Sequence, residues 1–247
     1  MPATRRDEFP SAPRSVVQTA GAEEDTMKLL LTSGGVTNPT IERALVGLLG
    51  RPIGECSALC IPTALYGHPW VGPGKNARDF ITGESDHMAG LGWGSVGVLE
   101  LTALPSIPAD RWVPLVRETD VLLAAGGDAG YLAYWMRRSG FADLVPSLAD
   151  TVYVGMSGGS MALTPRIGEE FVGWEPADGE DATPLGLVHF SMFPHLGHPD
   201  LPDNTEAAAR RWAAALGGPA YAVDDETAFV VDGAVEVVSE GVWHRLA

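Results

Sequence analysis

The sequence predicts an α/β protein: a three-layer, doubly wound, mostly parallel sheet with an antiparallel edge toward the C-terminus. Three observations carry this. Short apolar runs recur without the polar alternation of a half-exposed sheet, as strands covered on both faces do. The segments between most of them are long enough for crossover helices. The last runs are instead joined by tight turn signals.

Lys28-Leu29-Leu30-Leu31-Thr32 is the first buried run and ends in Ser33-Gly34-Gly35, as a strand entering a loop would. Asn38 can then cap a helix with Pro39 at its first position, and Ile41, Leu45, Leu48 and Leu49 recur at helical spacing. Further strands are expected at Ser57 to Pro62, Val96 to Leu101, Val121 to Ala125 and Val152 to Gly155. Tyr66 to Gly94, rich in Gly and Pro and without a clear period, reads as a long irregular loop with room for one short helix. Leu185 to Phe193 reads as a strand and Thr205 to Leu216 as a helix. Ala220 to Val223, Ala228 to Val231 and Val235 to Val238, separated by Asp224-Asp225 and Asp232-Gly233, are expected as the antiparallel edge.

The chain has 247 residues, 45% of them hydrophobic, which suits one full-sized domain, expected at residues 27–247. Residues 1–26 contain Arg5, Arg6, Pro10, Pro13 and the run Glu23-Glu24-Asp25, with no apolar core of a secretion signal. They are expected to be a disordered extension, with Met27 as an alternative start. A formal net charge of −16 excludes nucleic acid and anionic membrane surfaces as expected partners. No apolar run approaches the about 18 residues needed to span a bilayer. Cys56 and Cys60 lie in one strand-like run that a disulfide between them would distort, so a reducing cytoplasm is the expected setting.

Gly155-Met156-Ser157-Gly158-Gly159 has the pattern G-x-S-x-G after a strand and before a short helix. Such a turn exposes its serine, and a helix N-terminus favours developing negative charge. Ser157 is therefore the candidate nucleophile and the Gly158 N–H a candidate oxyanion donor. Val121 to Ala125 ends in Gly126-Gly127-Asp128, whose bare Gly127 could supply a second donor. Of six histidines, His195 follows directly on an apolar strand, where open α/β sheets place their sites. It is the preferred base.

Two other readings are set aside. His195, His198, Asp200 and Asp203 lack the fixed ligand spacing of a metal site, and Gly92-Trp93-Gly94-Ser95-Val96-Gly97 precedes a strand instead of opening a helix. No metal and no organic cofactor are expected.

Ala125-Gly126-Gly127-Asp128, Gly155 to Ser160, and Leu185-Gly186-Leu187 through Phe193-Pro194-His195 together resemble peptidase family S51, which includes aspartyl dipeptidase and cyanophycinase. The likeness runs from Lys28 to Leu246. It implies a fold like that of class I glutamine amidotransferases, although those enzymes carry a cysteine at the turn that Ser157 occupies here. Carried onto this chain, it implies Ser157 as nucleophile, His195 as base and Gly127 with Gly158 as the oxyanion hole. It also implies an acidic residue between serine and histidine, for which Glu169, Glu170 and Glu175 compete and Glu170 is preferred. Phe193 stands where aspartyl dipeptidases carry Asn, and Thr205-Glu206 near where they carry an arginine, so the preferred substrate side chain stays open. The expected function is a serine exopeptidase or dipeptidase acting on short peptides through an acyl-enzyme, with a homodimer one option for assembly. A cyanophycinase-like hydrolase of β-Asp-Arg peptides and a catalytically silent binding relative are the alternatives.

Overall fold

The computed structural model describes residues 15–17, 27–72, 74–84, 87–171, 173–177, 179–180 and 182–246. Its strands are β1 (Ser15–Val17), β2 (Lys28–Thr32), β3 (Ser57–Ile61), β4 (Ser95–Val98), β5 (Val121–Ala124), β6 (Val152–Met156), β7 (Ser191–Phe193), β8 (Ala220–Val223), β9 (Thr227–Asp232), β10 (Ala234–Ser239) and β11 (Trp243–Arg245). The helices are α1 (Pro39–Leu49), α2 (Thr63–Gly67), α3 (Lys75–Thr82), α4 (Ala109–Glu118), α5 (Ala129–Arg138), α6 (Gly158–Met161) and α7 (Glu206–Leu216), joined by short 3-10 turns.

The central sheet has the order β1-β10-β9-β2-β6-β5-β3-β4. From β2 to β4 every pairing is parallel; β9, β10 and β1 run antiparallel on the other side of β2. The continuous apolar runs follow from burial on both faces. Leu29, Leu31, Leu122 and Tyr153 point to one face and meet Leu132 and Met136 of α5, while Leu30, Leu123 and Val154 point to the other and meet Ile41 and Leu45 of α1. Successive residues of a strand point to opposite sides, so an unpartnered polar residue would be costly on either.

Local chemistry sets the element ends. Asn38 Oδ1 accepts the N–H groups of Thr40 and Ile41, both at 3.0 Å, and Gly50 closes α1 in the left-handed conformation at φ 68°. Among the described residues no helix is long and apolar enough to cross a membrane.

Three expectations are corrected. Ala220–Val223 is not part of the antiparallel edge; it pairs parallel with β7 and antiparallel with β11 in a separate three-stranded sheet. The reason is packing, because Phe193, Ala220 and Ala222 bury against Ala209 and Trp212 of α7. Only Ser191–Phe193 of the run from Leu185 is strand. The irregular stretch from Tyr66, by contrast, holds the short helix it had room for, the eight-residue α3, whose Ala77 and Phe80 join the core. Within the expected disordered extension, Ser15–Val17 pairs with β10; residues 1–14 and 18–26 lie outside the described residues.

Leu30 has no exposed surface and sits between the sheet and α1. Leu30→Ala should lower the unfolding free energy by about 2–5 kcal/mol in urea titrations; a loss below about 1 kcal/mol would contradict this packing.

Candidate active site

Each residue of the candidate site lies just beyond the C-terminal end of a strand. At the end of β6 the chain turns within one residue: Ser157 has φ 49° and ψ −114°, and α6 begins at Gly158. A non-glycine residue at such a φ is strained by about 1–3 kcal/mol and persists only where its surroundings hold it. Here the Ser157 N–H donates to Thr32 O at 3.0 Å, and Ser157 O accepts from the Ser160 and Met161 N–H groups, both at 2.9 Å. The buried Tyr153 hydroxyl donates to Gly159 O at 2.7 Å from beneath, and burial pushes its phenol pKa up.

Gly126 and Gly127, past the end of β5, lie against this turn. A Cβ on Gly158 would run into the Gly127 carbonyl, and one on Gly127, at φ 131°, into the Ala64 carbonyl. Only bare backbone allows this approach. Neither the Gly127 nor the Gly158 N–H is hydrogen-bonded to a described residue. Asp128, 1% exposed, secures the far side: one carboxylate oxygen caps α5 at the Tyr131 N–H, 2.8 Å away. The other accepts the N–H groups of Gly173 and Trp174, at 2.8 and 3.0 Å. Trp174 consequently packs edge-on against Tyr131 with centroids 4.9 Å apart. Desolvation holds the nearby His68 imidazole below its usual range, with the charge of Asp128 opposing.

His195 follows β7 with φ 56°. Its Nε2 lies 2.8 Å from Ser157 Oγ, and its Nδ1 lies 2.7 Å from Asp225 Oδ1. A carboxylate can only accept, so Nδ1 carries the proton and the Nε2 lone pair faces the Ser157 hydroxyl. Asp225 sits in the turn from β8 to β9. Its Oδ1 also accepts from Ser33 Oγ at 2.6 Å, while Oδ2 lies 3.7 Å from His198 Nε2, too far for a hydrogen bond. Burial alone would raise the Asp225 carboxyl. The hydrogen bond and charge of His195, the Ser33 hydroxyl and His198 outweigh it and hold the group below the usual carboxylate range. Chemically, the chain Ser157–His195–Asp225 can remove a proton from a serine hydroxyl beside two free backbone donors.

The structure brings Ser157, His195, Gly127 and Gly158 together. It does not bring in the expected acid. Glu170 lies in an exposed 3-10 turn at Glu169–Phe171, beside Trp212 of α7, and Glu169 and Glu175 are also exposed. The position at His195 Nδ1 belongs to Asp225, which follows the histidine in sequence, because the step from β8 to β9 returns the chain to the end of β2. Asp225 and Ser33 were both missed. Asp225 shares with Ser157 and His195 a place just past an apolar strand, a usable signal. Its neighbours Asp224 and Glu226 gave the segment the look of an ordinary polar turn.

An α/β sheet with a serine at a strained strand-to-helix turn, a histidine and a carboxylate defines a hydrolase-like class of site. The chain belongs to peptidase family S51, whose model matches residues 29–237. No curated protein matches it. Among solved structures, it is similar to a candidate peptidase E from Listeria monocytogenes EGD-e, with 16% identity and a TM-score of 0.59, covering 90% of this chain and 100% of that one. It is also similar to a peptidase from an acI-B1 actinobacterium, with 18% identity and a TM-score of 0.61, covering 90% of this chain and 91% of the other. At these identities the likeness establishes the fold.

The depressed Asp225 pKa has a consequence for stability. The folded state binds that proton less readily than the unfolded chain, so the contribution is present above about pH 4 and lost as pH falls below it. Asp225→Asn should flatten the fall in melting temperature below about pH 4; an unchanged acid limb would contradict this reading.

Proposed function

We propose that the chain is a cytoplasmic serine exopeptidase that hydrolyses short peptides through an acyl-enzyme, with residues 27–247 as its peptidase domain. The observation that carries this is the pair of short hydrogen bonds linking Ser157 Oγ to His195 Nε2 and His195 Nδ1 to Asp225. Membership of a peptidase family supports the reaction class. Cys56 and Cys60 are buried thiols that form no disulfide, which agrees with a reducing compartment.

In this reading Ser157 Oγ attacks the scissile carbonyl carbon as its proton passes to His195 Nε2. The oxyanion is received by the N–H groups of Gly127 and Gly158, which need no reorganisation at that moment. Collapse breaks the C–N bond, and the imidazolium gives its proton to the leaving amine. Water then attacks the acyl carbon, again losing a proton to Nε2, and the acid product leaves as Ser157 recovers its hydrogen. Asp225 stays ionised throughout, fixing the tautomer and stabilising the imidazolium.

Lys75 and Arg78 pair with Asp79, Arg51 with Asp120, Arg138 with Glu180, and Arg210 with Glu206. Among the described residues, the ion-pairing partners of Asp225 are His195 and His198.

A dipeptide library assayed at neutral pH tests the proposal. Ser157→Ala and His195→Ala should lower kcat/KM by about 10³-fold or more, and Asp225→Asn by about 10²- to 10⁴-fold. Glu170→Gln should stay within about twofold of wild type, as exposed substitutions do. Undiminished turnover by Ser157→Ala would overturn the mechanism.

A further inference from the structure

Resting on the triad proposed above, we infer that Ser33 is a positioning residue of the site, holding the Asp225 carboxylate on His195 and away from His198. The Ser33 side chain is buried, and its single hydroxyl makes two short hydrogen bonds, with His195 Nδ1 at 3.5 Å as a longer third contact. It donates to Asp225 Oδ1 at 2.6 Å and accepts the His195 backbone N–H at 2.7 Å. One hydroxyl therefore touches the carboxylate that faces the imidazole and the main chain that carries it.

The second bond bears on strain. His195 is held at φ 56°, which a histidine does not adopt cheaply, and its N–H has a fixed acceptor in Ser33 Oγ. The first bond bears on direction. The Asp225 carboxylate has two histidines within reach, His195 at 2.7 Å from Oδ1 and His198 at 3.7 Å from Oδ2. His198 Nδ1 accepts the Asp200 N–H at 3.1 Å, which leaves its Nε2 as the protonated nitrogen pointing at Oδ2. A modest rotation of the carboxylate would exchange one histidine for the other. The Ser33 hydroxyl on Oδ1 opposes that rotation.

Ser33 is not needed to keep the turn itself in place. Thr37 Oγ1 donates to Asp225 O at 2.7 Å and Asn38 Nδ2 to Glu226 O at 3.0 Å, so the backbone of the turn is secured independently. A Cβ on Gly34 would come within 2.7 Å of the Asp225 Cβ, and this close seat also survives loss of the Ser33 hydroxyl. The role left to Ser33 is the aim of two side chains.

The test uses the full chain and a fluorophosphonate, which reads Ser157 reactivity without a known peptide substrate. Ser33→Ala should retain a cooperative thermal transition, lower the maximal labelling rate by about tenfold to a hundredfold, and leave the half-saturating probe concentration within about twofold. The downfield proton resonance of His195 Nδ1–H should shift or broaden in the same variant. Adding His198→Ala to Ser33→Ala should restore at least about threefold of the lost rate, because the competing partner is gone. Wild-type labelling by Ser33→Ala, an unmoved Nδ1–H resonance, or no recovery in the double variant would each overturn the role of Ser33. If Ser157 fails to label in the wild-type protein, the proposed serine mechanism falls first, and that outcome is distinct from the others.

Discussion

The site depends on how closely the end of β2 is bound to the end of β6. Thr32 makes that junction. Its hydroxyl donates to Gly155 O at 2.7 Å and accepts the Gly35 N–H at 2.9 Å, while its carbonyl accepts from the Ser157 N–H and, at 2.8 Å, from Ser160 Oγ. A parallel pair of strands normally separates at its C-terminal end, where the chains leave for different helices. Here one threonine holds both exits together. The serine turn on one side and the Ser33 loop on the other therefore keep a fixed distance.

From that junction the remaining geometry is a matter of close approach. Ser157 and His195 are the non-glycine residues with positive φ among the described residues, and they are hydrogen-bonded to each other. Local strain is thus concentrated where two side chains must meet, and the cost of about 1–3 kcal/mol each is met by the buried core beneath. Gly127 and Gly158 perform the complementary task. Their missing Cβ atoms let one strand-end loop rest on the other with free N–H groups beside the serine.

The parallel half of the sheet was legible because its strands are apolar on both faces, and Ser157 was legible because its turn needs glycines at fixed offsets. His195 could be chosen by its place after β7. What the chain could not display was lateral contact. Ala220–Val223 has the composition of any buried strand, and its assignment to the small sheet is decided by packing with Phe193 and Trp212, which composition does not show. The same step hid Asp225: a carboxylate among Asp224 and Glu226 gains its meaning only when β9 folds back beside β2. Glu170 had the opposite history, with a suitable sequence position and an exposed, unrelated place in space.

The late sequence position of Asp225 also sets when this assembly can come into being. Ser33, Ser157 and His195 are all synthesised before it, and the hydrogen-bonded chain closes only after β8 has joined the small sheet and β9 has returned antiparallel to β2. Such long-range pairing is among the slower events of folding. A nascent chain still short of residue 225 carries the serine and the histidine but not the group that orients them. The hydrogen-bonded arrangement around His195 is therefore complete only once β8 and β9 are in place, after the parallel half of the sheet has already been made.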